Sequence, residues 1–299
     1  MFYFKLAEHF NIIDRPNERS SHSERTIRGG GIIFPITLVI YVLYYNDISP
    51  LIILGALGIS LVSFLDDIYT LPNKVRILVH LASVTALIYV LSGITTWAWW
   101  ITPVLYVFVI GCINAFNFMD GINGLTGLYS IIVFGSLYYM NRMVEFTDSN
   151  LIIVGIIACF VFLFFNFRKN AKCFAGDVGS VCIAYWITCL IAFLVVKTGD
   201  LKYVLFLSLY GVDTILTIGH RLILRQNIFL AHRLHFYQIL VNERRVPHLV
   251  VASFYGIIQL IINWFVIVSK LESYILFSIT VIPLCVLYIL VKRMLMDIK

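Results

Sequence analysis

Charge is what this chain has least of. Only 13% of its 299 residues are Asp, Glu, Lys or Arg, about half the share found in ordinary soluble domains. Together with 61% hydrophobic residues and a mean hydropathy of +0.93, that scarcity excludes a soluble globular protein. Cysteine is sparse as well. Cys112, Cys159, Cys173, Cys182, Cys189 and Cys285 lie in or beside apolar runs without a CxxC pair, which favours small buried hydrophobes over disulfides or a zinc site. Alternation of apolar and polar residues is missing, so the apolar blocks read as helices and not as barrel strands. The first 13 residues lack the layout of a signal peptide and are too short to span. They read either as an interfacial helix or as the end of a longer first span. The net charge of +6 does not require nucleic acid, because in a membrane protein it reports topology.

What is present is a series of apolar runs near the 20 residues that a span needs. They fall at 31–46, 50–65, 75–92, 98–115, 123–140, 150–166, 178–196, 201–219, 248–268 and 272–291. The pattern predicts an all-α polytopic bundle of about ten transmembrane helices, forming a single integral-membrane domain over 1–299. Residues 1–30 form its N-terminal segment and 220–248 its longest loop. The connections divide the 22 Lys and Arg residues 18 to 4 between the two faces, and the basic face is predicted to be cytoplasmic. The polar motifs gather on that same face, so a cytoplasmic active site in a bacterial inner membrane is expected.

Several motifs carry chemistry. Asp66-Asp67 close the second span as adjacent carboxylates, which are costly without a cation and suit Mg²⁺; a solvated helix end is the plainer alternative. Asp177, in the run Gly176-Asp177-Val178-Gly179-Ser180, opens the seventh span, where it serves either a ligand site or an N-cap. Arg15 to His22, followed by Arg28-Gly29-Gly30-Gly31, combines guanidinium groups with exposed backbone N–H groups, a combination suited to phosphate; a topogenic loop with a hinge is the alternative. The loop at 220–248 carries His220, Arg221, His232, Arg233 and His235, again suited to phosphate, with zinc through His232 and His235 as a weaker option. Asp213 lies within the eighth span and is expected to face the interior toward a basic residue such as Arg221. The polar junction from Asn114 to Leu125, set between two apolar runs, is a costly arrangement that calls for a functional reason.

Taken together, acidic positions for a divalent cation and basic groups for phosphates, on a membrane scaffold, suit phosphoryl transfer to a lipid. A secondary transporter for an anionic metabolite is the alternative from another class, and a non-catalytic scaffold is a third.

The sequence resembles the polyprenyl-phosphate N-acetylhexosamine-1-phosphate transferases. The resemblance rests on PNERSSH…RGGG, FLDDIYTLPNKVR, NAFNFMDGINGL, GDVGS and AHRLHFYQ in that order, and its wording is closest to the branch that starts O-antigen or capsule repeat units. It implies transfer of a sugar-1-phosphate from a UDP-N-acetylamino sugar to undecaprenyl phosphate, with release of UMP, in the presence of Mg²⁺ (or Mn²⁺). By motif position, Asp177 is implied as the principal metal ligand, with Asp66 and Asp67 as the aspartate pair that positions the lipid phosphate and helps hold the metal. Asn117, Asp120 and Asn123 fall on the nucleotide site, and Lys74, Arg76, Arg28, Arg233 and His235 are placed as phosphate contacts. Two departures stand out: Asn123 occupies a position where many relatives carry aspartate, and only the first histidine of a His-x-His-His cluster is kept, as His235. The partners implied are the lipid acceptor, the nucleotide-sugar donor and membrane lipids, without nucleic acid; a homodimer is compatible with the resemblance.

Overall fold

The computed structural model describes residues 2–14, 25–45, 47–69, 71–228, 230 and 232–297. The segment from Arg15 to His22, expected to contact phosphate, lies outside the described residues. The chain is almost wholly helical. A short helix α1 (Phe2–His9) leads into a two-residue strand β1 (Ile13–Asp14), which pairs antiparallel with β2 (Thr26–Ile27). There follow α2 (Ile33–Tyr44), entered through a 3₁₀ turn at Gly30–Ile32, then α3 (Pro50–Tyr69), α4 (Asn73–Ser92), α5 (Ile101–Met119), α6 (Leu125–Val144), α7 (Ser149–Asn166) and α8 (Gly176–Thr198). A 3₁₀ segment (Leu201–Leu207) runs into α9 (Ser208–Ile223). The short α10 (Phe236–Gln238), α11 (His248–Val268) and α12 (Ser273–Asp297) complete the chain.

All ten predicted segments are helical. Among the described residues, eight helices are long and apolar enough to cross a membrane, with Leu201–Ile223 taken as one. The other two expected spans fall short for different reasons. The Gly30–Tyr44 helix is shorter than the rest. Helix α6 has the length but carries Ser130, Ser136, Asn141 and Arg142, and the first three of these are buried against its neighbours α7, α8 and α11. Polar residues inside a bundle are satisfied by other helices, so α6 does not need a fully apolar surface.

Helix α8 is apolar all round, and such a helix belongs at the centre. About nine-tenths of its most apolar stretch (89%) is buried inside the protein, against 17% for α12 at the periphery. Around it pack α2, α3, α4, α5 and α6. Three prolines fall where a missing N–H costs nothing: Pro50 opens α3, and Pro72 and Pro247 immediately precede α4 and α11, whereas Pro283 lies inside α12.

The predicted span 201–219 changes from 3₁₀ to α geometry at Leu207–Ser208. Backbone groups freed by such a break need partners in a membrane, and Gln259 of α11 supplies them. Its Oε1 accepts from Leu209 N (3.1 Å) and its Nε2 donates to the Leu205 carbonyl (3.0 Å). The Tyr129 hydroxyl donates to the same Oε1, and the stack of Tyr129 on Tyr210 (3.7 Å between centroids) closes this network.

Candidate active site

The polar residues expected to work together meet at one end of the bundle. Helix α3 continues past its apolar run far enough to carry Asp66 and Asp67 on its last turns, and α8 begins at Gly176, which places Asp177 in its first turn. Arg28 reaches in from the segment after β2: its guanidinium lies 3.0 Å from Asp67 Oδ1 and 3.6 Å from Asp177 Oδ1. Arg76, on the first turn of α4, lies 2.9 Å from Asp66 Oδ2 and 3.5 Å from Asp177 Oδ2. Two arginines thus interleave three carboxylates that come from two helices. Asp66 is fixed further, because its Oδ1 accepts from Leu71 N at 2.7 Å and so caps the turn into α4.

Asp67 is the most enclosed of the three, with its side chain 1% exposed. It lies against the start of α8 near the N–H groups of Asp177 and Val178, where the helix N-terminus favours negative charge. Neither of its carboxylate oxygens, however, has a well-formed hydrogen bond. A buried anion in that state is expensive unless a cation approaches.

The triple glycine has a different job from the expected one. It does not stand open as a phosphate-binding loop; it is pressed onto the start of α8. Gly30 N donates to the Phe174 carbonyl (2.7 Å) and Gly31 N to the Ala175 carbonyl (3.0 Å). A Cβ on Gly179 would lie 2.6 Å from the Gly31 Cα, and one on Gly30 would overlap the Cys173 sulfur. Gly176 adopts a left-handed φ of 71°, and a Cβ there would meet Asp67 Oδ2 at 2.7 Å. Glycine is needed at these positions because two backbones touch, and that contact is what brings Arg28 to the carboxylates.

The Asn114–Leu125 junction is partly helix. Helix α5 runs on to Met119, so Asn114 and Asn117 lie on its final turns and only Asp120 to Gly124 form the turn. Asn117 Nδ2 donates to Ser180 Oγ of α8 (3.2 Å), tying the junction to the Asp177 helix. Asp120 is half-buried. Burial pushes its carboxyl up to about 7, the Thr126 hydroxyl opposes that shift, and the nearby charges of Asp177 and Asp67 add to it.

Asn123 is held inward, 4% exposed, with its amide donating to the carbonyls of Arg168 (2.9 Å) and Lys169 (3.1 Å). Its backbone N donates to His248 Nδ1 at 3.3 Å. An aspartate could not donate to either carbonyl, and this is a physical reason for asparagine here. Asn123→Asp is therefore expected to set a carboxylate against two carbonyl oxygens and to destabilise the protein by about 1–3 kcal/mol. Thermal unfolding in detergent checks this, with a lowered Tm as the expected result.

The basic residues divide. Arg28 and Arg76 are on the carboxylates, whereas Lys74 is exposed and makes no ion pair among the described residues. Arg233 is half-buried in the loop beside His232. Arg221 does not pair with Asp213. Its guanidinium donates to the carbonyls of Asn227, Ile228 and Leu230, which a loop lacking regular structure would otherwise leave unpaired. Asp213 instead meets His235, Oδ1 to Nδ1 at 3.1 Å. His232 Nδ1 accepts from Leu234 N at 3.3 Å. Burial, followed by the adjacent His235 ring, pushes His232 down to about 4, so it is a neutral imidazole at pH 7. Among the described residues, no three His, Cys, Asp or Glu side chains form a ready metal cluster.

Sequence comparison places this arrangement among known proteins. The profile of glycosyl transferase family 4 matches residues 49–196, a stretch that contains Asp66, Asp67, Arg76, Asn117, Asp120, Asn123 and Asp177. Over that stretch the chain is similar to glycosyl transferase family 4. It is 28% identical over 262 residues to a probable undecaprenyl-phosphate N-acetylglucosaminyl 1-phosphate transferase of Bacillus subtilis, covering 79% of this chain and 72% of the relative. It is 29% identical over 243 residues to the undecaprenyl-phosphate α-N-acetylglucosaminyl 1-phosphate transferase of Thermotoga maritima (78% and 74%). It is also 27% identical over 261 residues to the phospho-N-acetylmuramoyl-pentapeptide-transferase of Thermotoga maritima (80% and 83%). Arg28, Asp213 and His235 lie outside the stretch matched by the family 4 profile, and Arg28 reaches the carboxylates only through the fold. Sequence reasoning singled out Ser180 only as part of the GDVGS motif and missed Tyr255 and Tyr288 as partners of site residues, since a lone hydroxyl in an apolar run carries no signal of what it faces. It also counted Lys292 only as a topogenic charge, whereas Lys292 is buried beside Tyr288 and the Leu234 carbonyl.

Proposed function

We propose that this protein transfers a sugar-1-phosphate from a UDP-N-acetylamino sugar to undecaprenyl phosphate, releasing UMP. The site would face the cytoplasm from a bacterial inner membrane, and the lipid-diphosphate-linked sugar would begin a cell-envelope polysaccharide. The observation that carries this reading is the meeting of Asp66, Asp67 and Asp177 with Arg28 and Arg76 at the end of a membrane bundle. The names of the relatives point to the same acceptor and the same type of transfer.

An oxygen of the lipid phosphate would attack the phosphorus bearing the sugar. The bond from that phosphorus to the bridging oxygen would break, and UMP would leave with the bridging oxygen. The nucleophile is already anionic, so Asp66 is assigned to positioning and not to proton removal. Arg28 and Arg76 present guanidinium forks that match phosphate oxygens, and Asn117 with Asp120 line the nucleotide side.

The donor set fits Mg²⁺ (or Mn²⁺). Asp67 is buried, with Oδ1 paired to Arg28 and Oδ2 without a well-formed hydrogen bond, Asp177 lies beside it, and Mg²⁺ commonly takes one or two carboxylates with water and substrate phosphates. Bound there, the ion would supply neutralisation of the diphosphate charge. A transporter would hold its key polar groups near the membrane midplane, whereas Asp66, Asp67 and Asp177 lie at helix ends on one side of the bundle.

The test is incubation of purified protein with undecaprenyl phosphate, Mg²⁺ and a panel of UDP-amino sugars, scoring UMP. UMP formation that requires the lipid is expected. Substrate movement across vesicles without UMP would overturn the reading. Asp120→Asn should cut turnover yet raise Tm, because it removes a carboxyl whose burial holds it near 7. Between the unfolded pKa of about 4 and that folded value the native state binds the extra proton, so the wild type loses stability as pH rises. The gain in Tm from Asp120→Asn is therefore expected to be small at pH 5 and largest at pH 8, which a thermal-shift series across pH would measure.

A further inference from the structure

Asp213 is a buried carboxylate inside a membrane helix, and the transfer chemistry above makes no use of it. It is 1% exposed and accepts from donors on four elements. Oδ1 receives Thr217 Oγ1 of α9 (3.2 Å), Phe236 N at the start of α10 (3.1 Å), Tyr288 Oη of α12 (3.3 Å) and His235 Nδ1 (3.1 Å). Oδ2 receives Tyr255 Oη of α11 at 2.7 Å. With Asp213 as a carboxylate anion accepting these contacts, the His235 ring meets it with its proton on Nδ1.

The rest of the ring is held just as closely. Phe118, on the last turn of α5, lies 6.0 Å away by centroid, Tyr237 is stacked at 5.9 Å, and His232 is at 4.9 Å. The His235 backbone N donates to Gln238 Oε1, which locks the turn into α10. Tyr237 in turn donates from its hydroxyl to the Phe118 carbonyl (2.8 Å), so the histidine loop is fastened to the Asn117–Asp120 junction. What remains is His235 Nε2, which is buried and has no hydrogen-bond partner. Leaving such an atom unpaired is costly, unless a ligand completes it.

We infer that Asp213 is a positioning residue: it fixes the tautomer and angle of His235 so that Nε2 is presented to the phosphate groups of the nucleotide-sugar donor. Tyr255, Tyr288 and Thr217 keep the carboxylate oriented, and Lys292 braces the far side through Tyr288 Oη (2.9 Å) and the Leu234 carbonyl (2.6 Å). The arrangement works as an orienting acid behind a histidine.

The inference rests on the proposed transfer reaction, and its test separates the two. Turnover is measured with UDP-N-acetylglucosamine and undecaprenyl phosphate for the wild type, Asp213→Asn, His235→Gln and the double variant, with Tm and gel-filtration profile as checks of folding. Asp213→Asn should lower kcat about 10- to 100-fold with little change in KM, Asp213→Glu should recover part of the loss, and the Asn change should cost nothing further in the His235→Gln background. Multiplicative losses in the double variant, or a kcat within twofold of wild type for a folded Asp213→Asn, would overturn the inference. A second measurement needs neither turnover nor a variant of Asp213. In ¹⁵N-histidine-labelled wild type, with the His235 signal assigned by its loss in His235→Gln, Nδ1 should carry a proton. A bare Nδ1 overturns the inference even if the enzyme is active. Absence of UMP release by the wild type with every donor tried counts against the transfer reading alone.

Discussion

Asp177→Asn should abolish UMP release, by about 10³-fold or more, while leaving the protein folded and inserted. The two halves of that expectation have separate causes. Asp177 is the carboxylate reached by both arginines, at 3.6 Å from Arg28 and 3.5 Å from Arg76, so it stands where donor diphosphate, metal and guanidinium groups would converge. Removing a charge that stabilises a transition state costs about 10²–10³-fold even for one hydrogen-bond donor, and a metal ligand is worth at least as much. Stability should barely change. The side chain is 21% exposed and both contacts are long, the kind of ion pair worth roughly 0–1 kcal/mol. UMP release assayed beside thermal unfolding gives both quantities, and near-normal turnover in a folded Asp177→Asn protein would sink the metal assignment.

Gly179→Ala should be the more disruptive change, although it adds only one methyl group. Its Cβ would lie 2.6 Å from the Gly31 Cα and 2.9 Å from the Ala175 Cβ. The first of these is backbone and cannot rotate away. Overpacking of this kind costs typically about 1–3 kcal/mol. Separation of the two backbones would also move Arg28 off Asp67 and Asp177, and a displacement of about 1 Å in a positioning group can cost about 10²-fold in rate. Gly111→Ala is the control. That glycine lies within α5 with nothing near its missing Cβ, so alanine should stabilise by roughly 0.5–1 kcal/mol. Melting curves for the pair should therefore shift in opposite directions, and a stabilised, fully active Gly179→Ala would show that the backbone contact does not hold Arg28.

The helices and the acidic motifs were legible because their signals are local. Ten apolar blocks became ten helical segments, and Asp66, Asp67 and Asp177 fall at helix ends, where a span must finish or begin. Residues whose roles depend on distant partners were not legible. Gly29 to Gly31 read as a phosphate loop, yet their partner is the start of α8, well over a hundred residues further on. Asn123 read as a nucleotide contact, whereas its amide holds two carbonyls of the loop after α7. Arg221 was the nearest basic residue along the chain to Asp213, but the roughly two turns of α9 between them set the guanidinium against loop carbonyls and left the carboxylate to His235.

Composition and periodicity alone determined that this is a membrane bundle of helices with its polar chemistry gathered at one end, because a bilayer admits few other solutions for an apolar chain of this length. Which polar groups touch was decided only by packing. Glycine contacts between the segment before α2 and the first turn of α8 bring Arg28 onto the carboxylates, and the break before α9 is tolerated because Gln259 fills it. The physical reason is range. Hydrophobic burial is non-directional and can be read as a pattern along the chain, whereas hydrogen bonds and ion pairs demand distances of about 3 Å that exist only once the helices are side by side.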